Sequence, residues 1–167
     1  MEVRLATPGD IDAFRAFLLE AWRQAGPGAL GWTGASDETI SQIVSREYLS
    51  SVFGRPGTKV FIAMSGEGVV GFASNSKVDD EVIELSGIVV LESMTGRGVG
   101  TKLLEASVRA ALSDGFNRIL VKTEAFNDRA ISFYKSKGFE TVAQRTVEVE
   151  GVNVQVVELV LRLDEQT

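Results

Sequence analysis

Cysteine and histidine are both absent from the 167 residues of this chain. No disulfide can form, and the soft ligands that build zinc and copper sites are missing, so no metal site is expected. Ser-His-Asp and Cys-His catalysis is excluded outright. Acid–base chemistry must therefore come from Asp, Glu, Tyr, Lys or water. Positive charge is short as well: 17 Lys and Arg face 23 Asp and Glu, a formal charge of −6. Such a field repels phosphate backbones and argues against nucleic acid as a partner, while tilting weakly toward cationic partners such as amines. Long apolar runs are also lacking. Met1-Glu2-Val3-Arg4-Leu5 shows no basic region leading into an apolar stretch, and Ile88 to Leu91 is far too short to cross a bilayer. A cytoplasmic protein with no membrane partner is the expectation.

The composition that remains, 44% hydrophobic and 24% charged, is that of a globular protein, and the length suits one domain over residues 1–167. Val3 to Ala6 reads as a strand. After Thr7-Pro8-Gly9-Asp10, residues Ile11, Phe14, Leu18, Ala21, Trp22 and Ala25 recur at helical spacing, until Gly26-Pro27-Gly28 stops them. A glycine-rich loop carrying Trp32 follows. Ser36 and Asp37 are placed to cap a second helix with Ile40, Ile43, Val44 and Val52 on its apolar face. From Lys59 the period changes to two, with strands at Val60 to Met64 and Val69 to Ser74 around the turn Ser65-Gly66-Glu67-Gly68, then a third at Val82 to Val90. An amphipathic helix bearing Leu103, Leu104, Ser107, Val108, Ala111 and Leu112 ends at Gly115. Arg118 to Thr123 is a strand and Asp128 to Ser136 a helix. Glu140 to Glu148 and Val154 to Leu163 are two last strands around Glu150-Gly151-Val152-Asn153. This order predicts a mostly antiparallel sheet with one right-handed parallel crossover between Val82 and Thr123.

Two segments carry chemistry. In the first, the strand ending at Val89-Val90 runs through Thr95-Gly96-Arg97-Gly98-Val99-Gly100-Thr101 directly into a helix. Glycines let backbone N–H groups approach a ligand, and a helix N-terminus adds free N–H groups and a positive dipole end, which together suit a phosphate or pyrophosphate; Arg97 brings a charge nearby. A Walker loop would need Gly-Lys-Ser/Thr, whereas Gly100 precedes Thr101 and Lys102, and a dinucleotide fingerprint would need a third glycine at Thr101. Neither fits. On the loop alone, a glycine-softened helix entry with no ligand stays open. In the second segment Asn127 and Tyr134 lie seven residues apart, close to two helical turns, so both can address one face. A capped amphipathic helix with a half-buried tyrosine is the alternative there.

Taken together, these segments resemble the GNAT superfamily of N-acetyltransferases over about Val60 to Leu163. Gly98 and Gly100 match the glycines of its coenzyme A loop, Leu103-Leu104 matches the helix behind it, and Asn127, Ala130, Tyr134, Gly138 and Phe139 match all five positions of its second motif. Thr95 departs from the family's usual Gln or Arg, which should weaken one pyrophosphate contact without abolishing the site. The resemblance implies an α/β (α+β) fold: a mixed, mostly antiparallel sheet of six to seven strands, about four flanking helices and a splayed parallel pair. It also implies acetyl-CoA as co-substrate, held by Ile88, Val89 and Val90 on the strand, Thr95 to Thr101 in the loop, and Asn127 and Ala130.

Transfer to an amine needs a neutral nucleophile, a stabilised oxyanion and a protonated leaving thiolate. By resemblance Tyr134 is the acid for the sulfur, since a phenol of pKa about 10 keeps its proton at neutral pH. An N–H of Val89 or Val90 would polarise the acetyl carbonyl, and the carbonyls of Ile88 and Val90 would pair with the amide-bearing arm. Glu84 is the expected base, with a solvated strand face as the alternative; Ser86 shares its face by period two and could hold a water. Glu124 is the reserve, and a water relay without a single base is the further option. Trp32, Ser86 and Glu124 are the expected acceptor contacts, with a loop tryptophan packed on its own helix as the alternative for Trp32. The acceptor would be a small-molecule or peptide amine, and a homodimer through the last strands is expected from the family. A non-catalytic acyl-CoA-binding module would keep Gly98, Gly100 and Asn127 yet need neither Tyr134 nor Glu84; a nucleotide-binding regulatory domain would bind ATP or NAD instead.

Overall fold

Asp10 shows how local chemistry starts the fold. In a computed structural model that describes residues 1–25 and 36–164, its carboxylate accepts from the backbone N–H of Thr7 at 2.8 Å and from both terminal guanidinium nitrogens of Arg4 at 2.8 and 2.9 Å. Strand β1 (Glu2–Leu5) is thereby turned into helix α1 (Ile11–Ala25). The single helix expected next is two. Ser36 accepts from Thr39 N–H at 3.2 Å to open α2 (Asp37–Ile43), and Ser45, in extended conformation, accepts from Tyr48 N–H at 3.3 Å to open α3 (Arg46–Phe53). A second serine cap interrupts what the apolar spacing joined. Five helices result among the described residues, one more than expected. Trp32 lies outside the described residues.

The remaining elements are β2 (Thr58–Ser65), β3 (Gly68–Lys77), β4 (Val82–Val90), α4 (Val99–Ser113), β5 (Arg118–Glu124), α5 (Asp128–Ser136), β6 (Glu140–Val149) and β7 (Val152–Arg162). They form a seven-stranded sheet in the order β1-β2-β3-β4-β5-β7-β6, antiparallel except for β4–β5. Helices cover both faces of its first half, which is why β2 reads as a continuous apolar run. Val60 and Ile62 join Phe14, Phe17 and Ile40 under α1, α2 and α3, while Phe61 and Ala63 join Leu103 and Leu104 of α4. The β6–β7 turn is the two residues Glu150 and Gly151, at φ 47° and 83°. Positive φ at both central positions is the pattern of a type I′ turn, which favours Asn-Gly or Gly-Gly. The left-handed backbone costs a residue with a Cβ roughly 1–2 kcal/mol.

One irregularity positions everything that follows. Ala73 pairs with Ile88 but Asn75 with Leu85, so two steps on β3 face three on β4. The extra residue is accommodated at Gly87, φ 98°, a conformation that a side chain disfavours. Ser86 seals the bulge, its hydroxyl accepting from Ser74 N–H and donating to Gly87 O, each at 3.0 Å. Behind it, buried Asn75 donates to Ser107 O at 3.1 Å and accepts from the Ser107 hydroxyl, tying α4 to β3. A bulge bends its strand and resets which side chains face which way. Before it Ile83 and Leu85 face α4; after it Ile88 and Val90 do. The parallel pairing accordingly ends at Leu85↔Val121, although β4 continues to Val90 and β5 to Glu124. The expected splay is present.

Candidate active site

Where β4 and β5 part, a cleft of about 390 Å³ opens on the α4/α5 side of the sheet. Its floor at one end is the start of α4. Gly98 caps that helix in the left-handed conformation, φ 80°, with no side chain accepting from the first turn. The opening N–H groups of a helix have no intrahelical acceptor. Among the described residues α1, α2, α3 and α5 each carry an acid in the first turn, and α4 carries none. This terminus is left positive and unsatisfied, as an anion site requires. Gly100 lies one turn-step in, where an added Cβ would stand 3.8 Å from Ile88 Cγ2 and from the Phe133 ring, inside the cleft.

One wall is the free edge of β4. Leu91 N–H donates to Val70 O at 3.0 Å, so by alternation the N–H and C=O of Val89 address β3, while those of Ile88 and Val90 point into the splay. The opposite wall is α5. Asn127 caps it, its side-chain oxygen accepting from Ala130 N–H at 3.1 Å. Two turns on, Tyr134 is 3% exposed, with its ring against Phe133 and Phe139 at centroid distances of 5.4 and 5.3 Å. Burial pushes its phenol well above the usual tyrosine value, and a backbone hydrogen bond from Ile88 opposes the shift. A hydroxyl that accepts from Ile88 retains its own proton for donation into the cleft.

Of the expected cofactor residues, Ile88, Val90, Thr95, Gly96, Gly98, Val99, Gly100, Thr101, Asn127 and Ala130 line this cleft, as does Tyr134. Two do not. Val89 packs against the α1–α3 cluster because the bulge reset the alternation, and its N–H addresses β3, so of the two N–H groups considered for the acetyl carbonyl only Val90's faces the splay. Arg97 is exposed and outside the cleft. Met94, Arg129 and Phe133 line it unforeseen; Phe133 was within reach, since it follows Ala130 at helical spacing of three.

The expected base stands elsewhere. Glu84 precedes the bulge on the opposite face of the sheet, where its carboxylate meets Lys122 Nζ at 3.4 Å. Tyr134 and Glu84 therefore flank the start of the splay from its two sides. Ser86 cannot serve as freely as expected, because its hydroxyl is engaged with Ser74 and Gly87. Glu124, half-buried, ends β5 opposite Val156.

The fold and site define a class: mixed α/β proteins whose parted parallel strands and bare helix terminus receive an extended, phosphate-bearing ligand. The chain belongs to the Acetyltransferase (GNAT) family, whose profile it matches over residues 16–139. It is similar to a mycothiol acetyltransferase of Corynebacterium efficiens, 34% identical over 93 residues that cover 56% of this chain and 31% of that protein. The chain thus spans less than a third of that relative's length. The crystal structure of an N-acetyltransferase from Staphylococcus aureus superposes with a TM-score of 0.74 at 18% identity, covering 97% of this chain and 98% of that one. The structure of yncA from Salmonella typhimurium, solved with its cofactor acetyl-CoA, superposes with a TM-score of 0.71 at 23% identity, covering 100% and 96%.

Proposed function

We propose that this chain transfers an acetyl group from acetyl-CoA to a primary amine by direct attack on the thioester. The observation that carries the reading is the single cleft that joins the unsatisfied α4 terminus, the free edge of β4 and the Tyr134 hydroxyl. Each part suits a different part of the co-substrate. The N–H groups of Gly98 to Thr101 suit the pyrophosphate, and the outward carbonyls of Ile88 and Val90 suit the amide-bearing arm. Asn127 and Ala130 would flank that arm from α5. Bound there, acetyl-CoA supplies the activated acyl group and a thiol leaving group.

Tyr134 would hold the proton for the departing sulfur. Its burial keeps the phenol protonated across the physiological range, which is the state an acid needs. The N–H of Val90 would polarise the acetyl carbonyl. The amine would approach from the opposite face, past Glu84, which would take its proton directly or through water. Lys122 beside Glu84 would have to give way to, or share the carboxylate with, that amine.

Calorimetric titration with acetyl-CoA, with ATP and NAD as controls, tests the reading. Specific binding of acetyl-CoA, lost in a Gly98→Glu/Gly100→Glu variant that still folds, is the expected result. A folded native chain that does not bind acetyl-CoA would sink the proposal.

A further inference from the structure

Beyond Leu85↔Val121 the two halves of the sheet are held apart or together only by what crosses between them. On the cleft side the crossing is made by Tyr134, which meets the Ile88 backbone. On the other side, past the Glu84–Lys122 ion pair, Glu150 makes one. From the tip of the β6–β7 hairpin its carboxylate accepts from Ser36 N–H at 2.5 Å, from Thr39 Oγ1 at 2.8 Å and from Ser36 Oγ at 3.3 Å. These groups open α2, and α2 belongs to the β4 half: Ile40 and Val44 pack in the cluster that includes Val89 and Leu91. The hairpin belongs to the β5 half, for β5 pairs with β7 as far as Glu124↔Val156 and Ala125 N–H donates to Gln155 O at 2.8 Å.

The backbone at Glu150 points the same way. A type I′ turn favours Gly or Asn there, yet this chain holds a glutamate at φ 47°. A residue kept against its local preference marks a site where some other contact depends on it. Here that contact is the carboxylate's span to α2.

We propose that Glu150 is a positioning residue that latches the acceptor side of the splay, fixing how an amine reaches the thioester while leaving the acetyl-CoA cleft untouched. The inference rests on the transferase reading above. Glu150 touches no reacting atom; it acts by holding the hairpin against α2. Its hydrogen bonds from Ser36 and Thr39 also draw the carboxyl below the usual glutamate range, as an engaged carboxylate requires.

Glu150→Gly separates this role from a structural one, because it removes the carboxylate and relieves the left-handed backbone at once. The variant should melt no lower than the native chain and bind acetyl-CoA within about twofold, while hydrogen exchange at the Ser36 amide, which donates to Glu150, rises about tenfold. With kanamycin, spermidine and an alanine-initiated peptide as amines, KM should rise about fivefold or more for any amine acetylated, with kcat within about twofold. If none is acetylated, thiol release to water is read instead and should rise about fivefold as the acceptor side opens. Glu150→Gln, which keeps one accepting oxygen, should recover part of the loss. An unchanged KM or hydrolysis rate in a folded Glu150→Gly would overturn the inference, as would a parallel loss of acetyl-CoA affinity. Failure of the native chain to bind acetyl-CoA overturns the transferase reading itself, and is told apart by that binding measurement alone.

Discussion

Replacing Tyr134 by phenylalanine removes one oxygen from the centre of the cleft and little else. The ring contacts with Phe133 and Phe139 survive, and so does the burial of the side chain. What is lost in the resting protein is one hydrogen bond with the Ile88 backbone, a change of about 0.5–1.5 kcal/mol. For a domain of this size that lowers the melting temperature by a few degrees, about 2–4 °C per kcal/mol. What is lost in turnover is larger. A positioned general acid contributes about 10²–10⁴-fold, so kcat should fall at least about a hundredfold, or about 2.7 kcal/mol of barrier. Binding of acetyl-CoA should stay within about threefold, because the cradle at α4 is untouched. Stopped-assay thiol release gives the first quantity and calorimetry the second. The raised phenol adds a pH signature: the alkaline loss of activity in the native chain should come above the ordinary tyrosine range, and this limb should vanish in the variant. A Tyr134→Phe chain with native kcat would remove the acid from the mechanism and refute the reasoning from burial.

Gly100→Ala should leave stability within about 1 kcal/mol, since the new methyl meets Ile88 and Phe133 at ordinary contact, yet weaken acetyl-CoA about tenfold by calorimetry because that methyl occupies the cleft. Native affinity there would place the ligand elsewhere. Gly71→Ala should lose about 1–3 kcal/mol in urea unfolding, because its Cβ would fall 3.1 Å from Val89 O, Val99 Cγ1 and Leu103 Cδ1, and a β4 carbonyl cannot step aside. Asp10 tests the linkage between charge and folding. Arg4 holds its carboxyl far below the usual aspartate value, so its contribution is present above the unfolded value near 3.9 and disappears as pH falls through the depressed folded value. Melting temperature should therefore drop below about pH 4 more steeply in the native chain than in Asp10→Asn.

Much of this architecture is written locally. The turn Ser65-Gly66-Glu67-Gly68, the bare glycine entry to α4 and the Asn127–Tyr134 spacing need only neighbouring residues to be recognised, and each forms as expected. What escaped depends on contacts distant in sequence or on one residue overriding a pattern. Ser45 divides a helix whose apolar spacing alone would continue it. The bulge at Ser86-Gly87 exists only because β3 pairs with β4, and it moves Val89 to the other face while freeing Ile88 and Val90. Strict alternation along Val82 to Val90 could not show this. Glu150 reaches Ser36 across 114 residues, a contact no periodicity encodes. The opposition of Tyr134 and Glu84 across the sheet likewise follows from topology.

A crystal structure of the native chain with acetyl-CoA tests the central claim most directly. The pyrophosphate is expected on the N–H groups of Gly98 to Thr101, the amide-bearing arm along Ile88 and Val90, and the sulfur within about 4 Å of Tyr134 Oη. Acetyl-CoA bound away from the splay, or a sulfur out of reach of Tyr134, would contradict it.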